Sequence, residues 1–79
     1  MAKEFKYEIR KNLGVIAEEK SYRTLELNAV SFNDAEPKYD LRRWVNKDGE
    51  RTMGKGCTMT GEQIRALRDL LNSLPLEDV

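Results

Sequence analysis

The stretch from Glu36 to Leu71 reads EPKYDLRRWVNKDGERTMGKGCTMTGEQIRALRDLL, and the change of period within it decides the fold. From Lys38 to Val45 the pattern has period two. Lys38, Asp40, Arg42 and Trp44 fall on one face of a strand, and Tyr39, Leu41 and Arg43 fall on the other. Asn46, Asp48 and Gly49 then supply turn chemistry before a further strand near Thr52 to Met59. The connection is short enough for a hairpin, so the two strands are expected to be antiparallel. At Thr60 the period changes. Thr60 is a good N-cap, Gln63 completes a capping box, and Ile64, Leu67, Leu70, Leu71 and Leu74 follow at helical spacing until Pro75 limits the helix.

Upstream, Phe5, Tyr7 and Ile9 alternate with Lys6, Glu8 and Arg10, which predicts a half-buried strand. Asn12 to Gly14 interrupts it, and Val15 and Ile16 either continue the strand past a bulge or begin a return. Leu25, Leu27 and Ala29 alternate with Glu26, Asn28, Val30 and Phe32 in a second strand, and Asn33, Asp34 and Pro37 turn the chain into the third. The expected fold is therefore α+β: a curved four-stranded antiparallel sheet followed by one C-terminal amphipathic helix. Residues 1–79 read as a single domain without internal repeat or linker, with a loose tail at Leu76 to Val79.

Composition narrows the function. At 79 residues the core is small, so self-association would add stability. There is no histidine and a single cysteine, Cys57, so the usual general base, the commonest zinc ligand and an intramolecular disulfide are all missing. With neither a signal-like start nor a membrane-spanning run, the cytoplasm is the expected compartment. The formal net charge is zero, but its distribution is uneven: between Lys38 and Lys55, six basic residues stand against three acidic ones.

The ionic face of the third strand holds the candidate functional residues. Trp44 beside Arg42 and Lys38 must stack on a ligand, pack at a subunit interface, or be covered by an arginine. Phe32 lies on the polar parity of its own strand and is either a second stacking platform or core. Lys55, between Gly54 and Gly56, can approach a phosphate closely, although GKG alone lacks the spacing of a nucleotide-hydrolysing loop. Asp40 and Arg42 either pair as an ordinary surface ion pair or set the charge of the groove. Tyr39, Leu41, Cys57 and Met59 read as core. The scattered carboxylates and missing histidine leave catalysis and metal binding without residues.

The ordered run Asp40-Leu41-Arg42, Trp44, Asp48-Gly49-Glu50 and Gly54-Lys55-Gly56, followed by an alternating strand, Thr60 and a helix, resembles the transcriptional positive cofactor four family. The pieces Phe5-Lys6-Tyr7-Glu8-Ile9, Leu13-Gly14-Val15-Ile16, Glu26 to Asn33 and Pro37-Lys38-Tyr39 resemble its bacterial YdbC-like branch. The resemblance implies a homodimer that binds single-stranded DNA with little sequence preference and performs no reaction. It implies Phe32 and Trp44 as aromatic contacts and Arg42 and Lys55 as phosphate contacts, with Lys38 and Arg51 beside them and Gly56 admitting the strand closely. Asp34, Ala35 and Glu36 depart from the lysine-rich turn of eukaryotic members. RNA stays open as a ligand beside DNA, while no membrane, small-molecule substrate or cofactor is expected. The rival reading is a protein-interaction module anchored by Trp44 and the neighbouring arginines.

Overall fold

A computed structural model describes residues 6–20 and 22–78. The chain runs β1 (Tyr7–Glu19), β2 (Arg23–Phe32), β3 (Lys38–Lys47), β4 (Glu50–Met59), α1 (Gly61–Asn72) and a single 3-10 turn at Leu76–Asp78. The four strands form one antiparallel sheet in sequence order, as the short connections require. β1 is one continuous strand: Asn12 to Gly14 is a bulged passage rather than a turn, and register irregularities follow Ile9, Asn12 and Val15. Phe5, read with this strand, lies outside the described residues, as does Val79. The rest of the expected loose tail is the 3-10 turn.

Turn chemistry sets the β3–β4 hairpin. Lys47 pairs with Glu50, and the two residues between them, Asp48 and Gly49, have φ of 54° and 80°. A two-residue turn with both central residues left-handed matches the twist of the flanking strands, and Asp-Gly is the sequence that tolerates it. α1 begins with the expected capping box: Thr60 Oγ1 accepts from the Gln63 amide at 3.1 Å, and the Gln63 side chain accepts from the Thr60 amide at 2.9 Å.

The sheet has one apolar and one polar face. Leu27, Leu41 and Met59 turn toward α1, where Ile16, Ile64, Leu67 and Leu71 complete an apolar hollow. The helix touches β3 and β4, and none of its residues is buried. Cys57, expected in the core, is instead exposed, because it lies on the helix-side face beyond the cover that the helix gives. Tyr39, Leu41 and Met59 are half-buried.

The polar face is the more enclosed one. Val30, Trp44, Asn28 and Asp40 have no exposed surface, and Glu26 has 2%. The sheet achieves this by curling. Tyr7 pairs with Phe32 at one end of β2 and Trp44 pairs with Thr24 at the other, about 26 Å apart along a flat strand. Yet the two rings lie 5.7 Å apart. Only a strongly bent sheet brings them together, and bulges are the usual source of such bending.

Candidate nucleic-acid interface

Antiparallel register places Thr24, Glu26, Asn28, Val30 and Phe32 of β2 on the same face as Trp44, Arg42, Asp40 and Lys38 of β3. Gly56 lies opposite Arg42, and Arg51 lies opposite Asn46. Six of the seven sequence-derived site residues, Phe32, Lys38, Arg42, Trp44, Arg51 and Gly56, thus share one face. Lys55 does not join them. Between the pairs Arg42–Gly56 and Trp44–Met53, β4 has two residues where β3 has one. Alternation from Gly56 sends Lys55 to the side of Cys57 and Arg43.

Arg42 and Arg51 are both held by buried carboxylates. Arg42 Nε and Nη2 each donate to Asp40 at 2.5 Å, and Nη1 donates to the Gly54 carbonyl at 3.1 Å. The Asp40 side chain is 0% exposed and that of Arg42 13%. This is a buried fork-on-fork pair, not the surface ion pair considered from sequence. Burial removes water from both charges, so breaking the pair by deleting either member would cost more than forming it contributes. Arg51 donates to Glu26 at 2.8 Å. The consequence is electrostatic: each guanidinium faces a compensating carboxylate and presents its flat surface and remaining N–H groups more than a free charge. Lys38, exposed at the start of β3, carries its charge outward.

Each guanidinium also stands over an aromatic ring. Arg42 stands 5.9 Å from the centroid of Phe32, and Arg51 stands 4.6 Å from that of Trp44. Of the three fates open to Trp44 from sequence, coverage by an arginine is the one seen, with Tyr7 as a further neighbour. Its Nε1 is the buried side-chain polar atom without a hydrogen-bond partner among the described residues.

Sequence reasoning missed the carboxylate at the centre of this face. Glu26 accepts from Thr24 at 2.6 Å, from Asn12 and Asn28 at 3.3 Å each, and from Arg51, while Asn12 also donates to the Asn28 side chain at 2.6 Å. The parity of Glu26 and Asn28 with Phe32 was the available signal, but partners on two other strands, Asn12 of β1 and Arg51 of β4, are invisible to local pattern. Burial pushes the Glu26 carboxyl up, and the hydrogen bonds from Arg51, Thr24 and Asn28 outweigh it, leaving the group below its ordinary value. An unfolded glutamate titrates near pH 4.3. Glu26 therefore stabilises the fold fully above that pH and loses its contribution as pH falls through the lower folded value. Chemical denaturation across pH 3 to 7 is expected to show stability falling below about pH 4.5, with a shallower fall in Glu26→Gln. Identical profiles in both proteins would contradict this role.

With this geometry in place, the comparisons with known proteins become informative. Residues 20–70 match the family model described as Transcriptional Coactivator p15 (PC4), a span that holds β2, β3, β4 and most of α1. An uncharacterized protein of Treponema pallidum (strain Nichols) is 42% identical over 74 residues, covering 94% of this chain and 85% of that protein. The chain belongs to the transcriptional coactivator p15 family. That family is one of non-enzymatic DNA-binding domains.

Proposed function

We propose that the protein binds single-stranded DNA with little sequence preference, as a homodimer, and carries out no reaction. The observation that best supports this is the pairing of guanidinium with aromatic ring, Arg42 with Phe32 and Arg51 with Trp44, on one face inside the family match. Bases offer π-faces whatever their identity, and such a surface meets them without reading their edges. Lys38 supplies phosphate contact along the same track. Lys55, on the outer edge strand, contributes where the nucleic acid passes over that edge. Gly56 lets β4 lie close against Arg42.

Self-association is supported by the thinness of the single-chain core. Val30 and Trp44 are the buried hydrophobic residues, while Ile16, Leu70, Leu71 and Leu74 are 60%, 54%, 43% and 45% exposed. A second copy covering the helix side would hide them. The whole chain, residues 1–79, acts as one such unit in the cytoplasm, in the manner of the bacterial branch of the family, and serves transcription, replication or repair. No helix among the described residues is long and apolar enough to cross a membrane.

The rival reading is a protein-interaction module anchored by Trp44 and the neighbouring arginines, and the burial of Trp44 bears on both readings alike. Salt separates the two readings. If about four phosphates are neutralised per strand, log affinity for labelled oligo(dT) should fall with log salt at a slope near −3. A slope near zero would favour the rival. Repeating the titration with oligo(U) shows whether RNA is bound as well, since a face that stacks bases has no means of sensing the 2′-hydroxyl.

A further inference from the structure

We propose that Tyr22, Arg23 and Lys47 form a phosphate-binding subsite that grips the backbone of the single strand beyond Trp44. This deepens the single-strand reading above and rests on it. None of the three belongs to the seven sequence-derived site residues.

The observation that carries it is like charge gathered without a counter-charge. The Arg23 guanidinium and the Lys47 ammonium each stand 5.9 Å from the centroid of the Tyr22 ring. Among the described residues neither takes part in an ion pair. Carboxylates lie nearby, but they do not neutralise these cations. Glu19, opposite Arg23 in register, is taken by Arg43 through hydrogen bonds of 2.8 and 3.0 Å. Glu50, opposite Lys47, is likewise in no ion pair among the described residues. Arg42 and Arg51 differ in this respect, because each is bonded to a buried carboxylate. An aromatic ring attracts a cation through its quadrupole without cancelling the charge, so Tyr22 keeps together two cations that repel each other. A phosphate relieves that repulsion, and its oxygens suit the fork of an arginine.

The sheet puts this cluster in line with the aromatic face. The Tyr22 carbonyl accepts from the Asn46 amide at 2.7 Å, and Thr24, two residues further on, pairs with Trp44. Two residues of strand span about 7 Å. Along β2 the order is therefore Phe32 at one end, Trp44 opposite Thr24, and Tyr22 just past the other end. Tyr22 is 36% exposed and Lys47 is exposed, so a phosphate meets the cluster without displacing buried groups. Lys38 and Lys55 account for two of the about four phosphates assigned to each strand, and Arg23 and Lys47 supply the other two.

The test measures the salt dependence of labelled oligo(dT) binding to the full-length protein. One phosphate contact on a single strand contributes about 0.7 to the slope of log affinity against log salt. Arg23→Gln and Lys47→Gln should each weaken binding about fivefold at roughly 0.1 M salt, and the double variant should bring the slope from near −3 to about −1.5. An abasic strand of equal length should lose as much to the double variant as oligo(dT) does, since the subsite takes backbone and not base. Tyr22→Phe, which keeps the ring, should bind as wild type, and Tyr22→Leu about two- to fivefold more weakly. Arg65→Gln removes an exposed cation from α1 instead and should leave the slope as it is. A slope unchanged in the double variant, an abasic strand spared by it, wild-type binding in Tyr22→Leu, or equal losses in Arg65→Gln and Arg23→Gln overturns the subsite while leaving the single-strand reading intact. Failure of the wild type to bind oligo(dT) removes both.

Discussion

Trp44→Ala is expected to unfold most of the protein at room temperature. Trp44 is fully buried on a central strand, against Tyr7 and Arg51, and truncating a buried tryptophan costs about 3 to 5 kcal/mol. A chain of this size rarely holds more than about 3 to 5 kcal/mol in its own core. The loss would therefore consume most of the margin, and nucleic-acid binding would disappear with the fold. Trp44→Phe should behave differently. It keeps an aromatic ring against Tyr7 and Arg51 and removes an indole N–H that has no partner, which offsets part of the lost volume. Urea denaturation followed by circular dichroism separates the cases. A Trp44→Ala protein that melts like wild type yet fails to bind oligo(dT) would mean that Trp44 is an open stacking surface and not part of the buried core.

Gly56→Ala is expected to be nearly as damaging, for a backbone reason. A Cβ at Gly56 would overlap the Cβ of Arg42 and the carbonyl oxygen of Leu41, and would stand 2.5 Å from the Arg42 Cα. These are the main chain and the first side-chain atom of the opposing strand, so no rotamer change relieves the clash. β3 and β4 must separate at the pair that holds Arg42 opposite Gly56. Overpacking of this kind costs about 1 to 3 kcal/mol or more, which lowers the melting temperature of a domain this small by roughly 5 to 20 °C. Separation would also strain the Arg42–Asp40 fork and its bond to the Gly54 carbonyl. Gly14, where an added Cβ meets nothing within 4 Å, is the matched control: Gly14→Ala should melt close to wild type. Equal melting temperatures for Gly56→Ala and Gly14→Ala would refute the close approach of β3 and β4.

The parts of this fold that local chemistry dictates were legible in the sequence. Period two over Lys38 to Val45, the Asp48-Gly49 turn and the Thr60 to Gln63 capping box each specify their element without reference to the rest of the chain, and each is present. The helix stripe was equally plain. Long-range consequences were not. Whether β1 was one strand or two depended on pairing with β2, which tolerates three irregularities. The burial of Trp44 depended on a curl that brings in Tyr7 from the far end of β2. Glu26 found Arg51 across 25 positions of sequence. Lys55 shows how sharply a bulge limits parity arguments, since one extra residue on β4 separates it from the face of Arg42. Placement of Phe32, Lys38, Arg42 and Trp44 on one face followed from alternation within β2 and β3 plus antiparallel pairing, whereas Arg51 and Gly56, of opposite parity on β4, share that face only because of the bulge between them.

Arg42 and Arg51 are each paired with a carboxylate in a chain of zero net charge. Both are pre-oriented rather than loose, so on the proposed reading little side-chain entropy would be lost when a strand arrives.

Whether this face accepts unpaired bases is decided by titrating the protein with labelled oligo(dT) and with a duplex of the same length, in the same buffer, at two salt concentrations. Single strand is expected to bind at least about tenfold tighter than duplex at both concentrations, because duplex bases already stack on one another and their faces are closed to Phe32 and Trp44. Equal or tighter binding of duplex would contradict the single-strand reading.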